Sequence, residues 1–525
     1  MTIERRLLVL RLAWISLAAC GAPPDATPST ESSSAARAVV STTIHIDTNR
    51  IGSAIPPTYV GMSITRKNIS GQGGDALFDP ARNPAYAELL NLVKQVRIRH
   101  LRTVSGDAKT EEGDPTAEED DNFFRFAKAA GLGERSIIYS LHLFNEEDHL
   151  PGTSNTISAK HIWGSPYRSM IESFALDNEP DWKGRYHLDP NIRGYFPSRG
   201  SIGYRDAWTR RYDEVQAALG RPVPPAAFSG PDTGSNYPVS TDAASNTSID
   251  GTPFTLRFAI DHRHHIDLAT QHYYGGSNQG TLTAREMAEA MLDPMRLDDW
   301  QKLLDHALAG ARTWPGGLRF RLTESNAFSG GLDPGSQCFA TALWSLEYFH
   351  WWAAHGSVGV DPFTRVVQYN APIFLDTRSG AFMAEPYAYG MLAFALGSEG
   401  TTVRPEAVSF SSKIDRVTAY AVVNSAHLYV TIVNKTFNSV GAKDASIVIH
   451  ADGFVAKQAR ALELASAPGQ SGDASVTSAT LGGAKIPNAG DWSGTWTSVP
   501  VRGDGSIGPV SVPSTSAFVI DVTRQ

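Results

Sequence analysis

Two carboxylates stand out for the chemistry they could perform. Phe174-Ala175-Leu176-Asp177-Asn178-Glu179-Pro180 is an apolar run that ends in a carboxylic acid, and Leu318-Arg319-Phe320-Arg321-Leu322-Thr323-Glu324-Ser325-Asn326 repeats the design 145 residues later. Glycoside hydrolysis needs such a pair: one carboxyl protonates the leaving oxygen, and the other attacks the anomeric carbon when the two stand about 5–5.5 Å apart. Asn178 can donate to a sugar hydroxyl, and Pro180 ends the strand so that Glu179 sits on the turn.

These acids need a scaffold that turns strand ends toward one mouth. From Thr58 onward, short β-rich runs alternate with helical patterns, the signature of βα units around a parallel sheet. The runs are 59–64, 96–103, 137–143, 173–177, 226–229, 268–273, 318–322 and an eighth near 358–360, which predicts a (β/α)8 TIM barrel. Polar groups at the C-terminal ends of barrel strands face the catalytic mouth. Glu179 and Glu324 then leave the fourth and seventh strands. Between them, 84–95 carries Tyr86, Leu89, Leu90 and Val93 at helical spacing, and the acids Asp120-Asp121 precede a helix over 123–131, where the macrodipole favours them. The run Glu118-Glu119-Asp120-Asp121 lacks the alternating ligand order of a calcium loop and reads as a solvated face. After about Ser398 the pattern becomes alternating strands (416–423, 427–434, 445–450, 517–522), which predicts an all-β sandwich. The early strand 38–47 fits that sandwich. The expected layout is a barrel over 57–385 and a sandwich over 386–525 that also takes up 39–56.

With these elements in place, the chain resembles glycoside hydrolase family 79, a clan A family of bacterial β-glucuronidases and heparanases. The resemblance spans most of residues 39–525 and rests on the shared order of short strings: Asn178-Glu179-Pro180, Gly230-Pro231-Asp232-Thr233-Gly234, His272-Tyr273-Tyr274, Thr323-Glu324-Ser325-Asn326 and Pro386-Tyr387-Ala388-Tyr389-Gly390-Met391. It implies Glu179 as acid/base, Glu324 as nucleophile, a 2-hydroxyl contact for Asn178, a substrate-side place for His272, and Tyr274 oriented toward the nucleophile. A uronic acid also needs a cradle for its carboxylate, and Ser329-Gly330-Gly331 suits a backbone N–H nest; relatives carry a tyrosine where Ser329 stands. Tyr369 falls where the family has a second hydroxyl donor. The second strand departs from the family: Arg102-Thr103-Val104-Ser105-Gly106-Asp107 replaces an Arg-Ile-Gly-Gly-Asn-Ser-x-Asp pattern. Arg102 can still lie beneath the nucleophile and hold it ionised. Asp107, a ligand for sugar hydroxyls in this reading, comes two places early.

The N-terminus reads as an export signal. Arg5, Arg6 and Arg11 precede an apolar stretch, and Leu17-Ala18-Ala19-Cys20-Gly21 resembles a bacterial lipobox, so residues 1–20 are expected to end at a lipidated Cys20. The chain has 2 cysteines, which leaves Cys338 without a disulfide partner and destined for packing. Residues 21–38, rich in Pro, Ser, Thr and Ala, form the expected tether to a membrane, the outer membrane or cell surface being favoured, with a periplasmic place as the alternative. The formal charge is −8, and loss of residues 1–19 would leave it near −10, which disfavours nucleic acid and long polyanions.

Other motifs offer less. Asp261-His262-Arg263-His264-His265 precedes the sixth strand and so belongs to the face away from the chemistry, which argues against a zinc site. No phosphate loop, no nucleophile elbow and no G-x-G-x-x-G after a strand occurs, so neither a nucleotide enzyme nor a serine hydrolase is indicated. Trp492 and Trp496 at alternating positions suit sandwich packing better than sugar stacking. The expected protein is a metal-free, cofactor-free monomer: a retaining exo-β-glucuronidase acting on terminal β-linked glucuronic acid, 4-O-methylated or not. The rival readings are a neutral-sugar β-glycosidase of clan A and an inactive glycan-binding surface lipoprotein.

Overall fold

The computed structural model describes residues 37–70, 76–104, 115–143, 153–181, 195, 203–234, 252–276, 282–309, 317–331, 334–437, 441–466 and 473–525. Cys20, the signal segment, all of the tether before Arg37, and Asp107 lie outside the described residues. Eight parallel strands form the barrel: β1 (Gly61–Thr65), β2 (His100–Val104), β3 (Ile137–Leu141), β4 (Ile171–Leu176), β5 (Phe228–Thr233), β6 (Leu268–Tyr274), β7 (Arg319–Asn326) and β8 (Val360–Pro362). Each pairs with the next. The parallel bridges Val60↔Val360 and Ser63↔Phe363 bring β8 back to β1 and close the ring. All eight expected strands are present, offset by a few residues at their ends.

Runs such as Ile137-Ile138-Tyr139-Ser140-Leu141 are buried throughout, as a parallel sheet covered on both faces requires. Tyr139, Phe174 and Phe228 pack outward against Phe124, Trp163 and Trp208 of the surrounding helices. The helix expected over 123–131 in fact spans Ala117–Ala129, because Thr116 and Glu119 form a capping box and start it six residues earlier. That shift corrects the reading of the acidic run: Asp120 is inside the first turn and buried, and it accepts the Tyr139 hydroxyl at 2.6 Å.

The C-terminal region is a sandwich of two sheets. One has the order Val408–Phe410, Ala38–Asp47, Lys443–Asp452, Ile507–Val512; the other runs from Thr480–Leu481 through Ala456–Ala465, Ser516–Arg524, His427–Asn434, Val417–Val423 and Thr401–Val403 to Ile51–Ala54. The N-terminal strand lies parallel to Lys443–Asp452 over its whole length, from Ala38↔Lys443 to Asp47↔Asp452. Its inward residues Ile44 and Ile46 join Ile447, Ile449, Phe518 and Ile520 in a core separate from that of the barrel.

From Ala38 to Gln525 the chain is one compact unit. Helix Ala340–Ala354, apolar on all sides, is buried along nearly its full length where barrel and sandwich meet. Its one acid, Glu347, meets Lys435 Nζ at 2.7 Å from both carboxylate oxygens and also accepts the Thr418 hydroxyl at 2.6 Å. Cys338 is buried and free beside this helix. Trp492 and Trp496 pack on the core, the latter beneath the Arg460 guanidinium at 4.6 Å. His262 is wedged between Trp208 and Phe258 at 4.4 and 4.5 Å. No helix among the described residues is long and apolar enough to cross a membrane.

Candidate active site

The site is built around Arg102, which leaves β2 into the barrel interior with no solvent exposure. Its NH1 donates to Glu324 Oε2 at the end of β7 and to Ser63 Oγ of β1, both at 3.1 Å. Its NH2 donates to Asn178 Oδ1 at 2.7 Å and pairs with Asp232 Oδ2 at 3.1 Å. A guanidinium only donates, so the Asn178 oxygen must face it and the amide NH2 is turned the other way. Burial would lower the Arg102 pKa, but Asp232 and Glu324 outweigh it and raise it, so one fixed cation serves two carboxylates. The Tyr274 hydroxyl donates to the other oxygen of Glu324 at 2.5 Å. Burial first, then Glu324 and Glu179, push this phenol well above its ordinary value, which keeps the proton available for donation.

Glu179 sits on a turn of unusual backbone. Asp177 and Glu179 have φ of 75° and 50°, a region L-residues seldom enter outside sites that the surroundings over-determine. Glu179 N donates to Asp232 O at 2.8 Å, and Asp177 N to Leu141 O at 3.1 Å. The Glu179 carboxylate meets His272 Nδ1 at 3.1 Å. Burial pulls the His272 imidazole down to about 4, against the opposing pull of Glu324, so it is neutral near pH 7. Gly234 closes the other side: a Cβ there would come within 2.5 Å of Glu179 Cδ. Glu179 and Glu324 are 6% and 5% exposed, so both reach the surface only through the mouth.

One oxygen of each carboxylate and a ring nitrogen of His272 lie within 4.8 Å of one another. Among the described residues no other trio could bridge a metal ion, and here Arg102 already brings the positive charge that a cation would supply. The geometry suits carboxylate chemistry: two acids at short range, one ion-paired and hydrogen-bonded on both oxygens, the other beside a neutral imidazole.

Six residues expected from sequence (Arg102, Asn178, Glu179, His272, Tyr274 and Glu324) thus form one network. Ser329, Gly330, Gly331 and Tyr369 form a second group on the loops that follow β7 and β8. Ser329 N donates to Gly276 O at 2.9 Å, which ties the β6 and β7 loops together and takes that N–H out of any anion nest. A nest here would be built from Gly330, at φ +69°, and Gly331. Tyr369 N donates to Gly331 O at 2.8 Å, and the Tyr369 ring stacks on Phe374 at 4.6 Å. Asn370 lies against the Gly331 Cα and donates to Phe328 O.

Two further acids that the motifs alone do not single out, Asp232 and Asp181, belong to the network. Asp232 is a carboxylate at the end of a barrel strand, the same signal that marks Glu179 and Glu324. Burial would raise its carboxyl, but Arg102, His272 and hydrogen bonds from Thr323 and Thr270 hold it below the ordinary range. Asp181 accepts Gly234 N at 2.8 Å and steadies the loop against Glu179.

Solved structures of glycoside hydrolases align over nearly the whole chain, three of which illustrate the match. A 4-O-α-L-rhamnosyl-β-D-glucuronidase from Fusarium oxysporum aligns with a TM-score of 0.61 at 14% identity, covering 92% of this chain and 100% of its own. AbfB, a family 51 α-L-arabinofuranosidase from Bifidobacterium longum, aligns with a TM-score of 0.63 at 13% identity, covering 92% and 99%. A glycoside hydrolase family 44 endoglucanase from Clostridium acetobutylium aligns with a TM-score of 0.57 at 11% identity, covering 93% and 100%. The fold is one that glycoside hydrolases share. No protein-family model matches the sequence, and no curated protein matches it.

Proposed function

We propose that the chain is a retaining glycosidase that releases terminal β-linked glucuronic acid, 4-O-methylated or not, from the end of a glycan. The observation that carries the reaction type is the approach of the Glu179 and Glu324 oxygens to within 4.8 Å. That is the retaining range; an inverting pair stands about 6.5–9.5 Å apart to admit a water. Glu324, held by Arg102 and Tyr274, attacks the anomeric carbon, while Glu179 gives its proton to the leaving oxygen. Glu179 then accepts a proton from water as water opens the glycosyl ester. The Asn178 NH2, fixed by Arg102, is placed to donate to a sugar hydroxyl beside Glu179.

The uronic acid rests on three supports: the order of motifs shared with family 79, the glycine pair after β7 as a carboxylate nest, and the fold neighbour that is a 4-O-α-L-rhamnosyl-β-D-glucuronidase. One observation favours a second substrate. Asn370 Oδ1, buried beside Gly331, accepts no hydrogen bond within the described residues. An acceptor there suits a sugar hydroxyl, as a neutral-sugar glycosidase would require. The deciding experiment compares hydrolysis of 4-nitrophenyl β-glucuronide and β-glucoside, with Glu324→Gln as the blank and NMR of the first-formed anomer. Glucuronide turnover with a β-product, lost in Glu324→Gln, supports the proposal. Preference for the glucoside moves the substrate to the neutral-sugar reading, an α-product refutes retention, and affinity without turnover leaves a binding protein. Export and lipid attachment at Cys20 belong to the same reading. Membrane-bound protein that becomes soluble as Cys20→Ser, with loss of the acyl mass, is the expected result.

A further inference from the structure

Asp232 lies between the groups that hold the two carboxylates. It leaves β5 at 1% exposure and φ 57°, a conformation an L-residue holds only when its surroundings fix it. Its Oδ1 accepts the Thr323 hydroxyl at 2.5 Å, from the residue before Glu324. Its Oδ2 lies 3.1 Å from Arg102 NH2, and its backbone oxygen accepts Glu179 N at 2.8 Å.

We propose that Asp232 is a positioning residue that couples the two catalytic carboxylates. Its side chain holds Arg102 and Thr323 beneath Glu324, its carbonyl holds the turn of Glu179, and its negative charge sets the pH range in which both act. The inference rests on the roles proposed above for Glu179 and Glu324.

The electrostatic argument follows from what faces the group on each side. Arg102 comes from β2, Glu179 and Asp181 from the loop after β4, His272 from β6 with Nε2 at 3.8 Å, Glu324 from β7, and Asp361 of β8 acts on Arg102 from below. Arg102 is shared between Asp232 and Glu324. With Asp232 neutral, its full charge falls on Glu324, and Glu179 loses a nearby anion that opposes its ionisation. Both effects favour the charged carboxylate, so both limbs of a pH profile move to lower pH.

The test uses the full chain in detergent, as wild type, Asp232→Asn and Asp232→Glu, with Glu179→Gln and Glu324→Gln as controls. Thermal unfolding verifies that each is folded. For Asp232→Asn, kcat/KM on the better aryl glycoside is expected to fall, with both limbs shifted down by about 1 unit. Asp232→Glu, which keeps the charge, lowers the rate with the limbs in place. A loosened scaffold would scale the rate without moving the limbs. If the glutamine controls are inactive and Asp232→Asn only rescales the profile, the proposal is wrong and the functional reading survives. If the controls retain turnover, that reading fails. The coupling is then read from the Glu179 carboxyl titration by carbon-13 NMR, identified by its loss in Glu179→Gln. A lower midpoint in Asp232→Asn supports the coupling, and an unchanged midpoint overturns it.

Discussion

Replacing Gly234 with alanine should damage catalysis while leaving the fold intact. Gly234 does not have a positive φ, so alanine fits its backbone, but the new methyl would lie 2.5 Å from Glu179 Cδ and 2.7 Å from Oε1. Ordinary contact begins near 3.4 Å, so the carboxyl must retreat by about 0.9 Å, roughly a carbon–carbon overlap relieved by side-chain rotation. The backbone cannot share the movement, because Glu179 N is held by Asp232 O and Gly234 N by Asp181. A misplacement of about 1 Å costs on the order of 10²-fold, or about 2.7 kcal/mol of barrier. The folded state loses little, because the displaced group is a side-chain end, and alanine restricts the unfolded chain by about 0.4–1 kcal/mol. The assay is kcat/KM on glycosides of graded leaving-group pKa beside a thermal melt. Loss should be greatest on the poorest leaving groups, which depend most on the acid. Wild-type kinetics on such a substrate, or a parallel collapse of the melting temperature, would refute the argument.

Three further outcomes follow. Arg102→Met leaves Glu324 and Asp232 buried without their shared cation, and a loss of about 3–5 kcal/mol in denaturant unfolding is expected together with loss of turnover; unchanged stability would mean that water replaces the guanidinium. Glu347→Met strands Lys435 at the barrel–sandwich junction at a similar cost, and adding Lys435→Met should recover most of it; if the double variant is no better, the pair is not coupled. Stability should peak near pH 6.5. Burial holds His262, His272 and His350 at about 3, 4 and 3, so the unfolded chain takes up protons that the fold refuses as pH falls below about 6.5. Burial raises Asp120 to about 7 and Glu385 to about 8, so their contribution is present at lower pH and is lost as pH rises through those values. Urea midpoints on either side of the peak should both be lower, at roughly 1.4 kcal/mol per pH unit for each net proton, and Glu385→Gln should flatten the alkaline side. A midpoint that rises from pH 6.5 to 8 would contradict this.

The barrel was legible because parallel strands covered on both faces are short, continuous apolar runs, and none of the eight needed a distant partner to be seen. The N-terminal strand was legible for the opposite reason: Thr42, Ile44 and Ile46 alternate with more exposed neighbours, a pattern suited to a sandwich. Glu179 and Glu324 were legible as strand-end acids. Residues whose meaning depends on local backbone were harder to read. Nothing in Ser329 as a letter reveals that its N–H is spent on Gly276. Asp120 looked like a solvated acid until the capping box moved the helix start and turned it inward.

The barrel interior itself was invisible, because its partners come from strands far apart in the chain. Below the catalytic network, His100 lies between Asp361 and Glu172, at 2.9 and 3.2 Å, and Arg321 meets Asp361 at 2.7 Å. Glu172 also meets Arg319 at 2.9 Å, so this lower layer draws on β2, β4, β7 and β8. Room for it depends on two glycines: a Cβ at Gly61 would meet Asp361 Oδ1, and one at Gly359 would meet Arg321. His100 and Arg102 leave the same strand two residues apart, and Arg321 and Thr323 do likewise on β7. Fixing His100 and Arg321 therefore fixes the phase and height of both strands. Arg102 is delivered to Glu324 by a strand that is already anchored one layer below. This arrangement explains how so many charges can be buried beneath a reactive carboxylate without drifting: Arg102 and Arg321 are each shared by two acids, and each layer restrains the next.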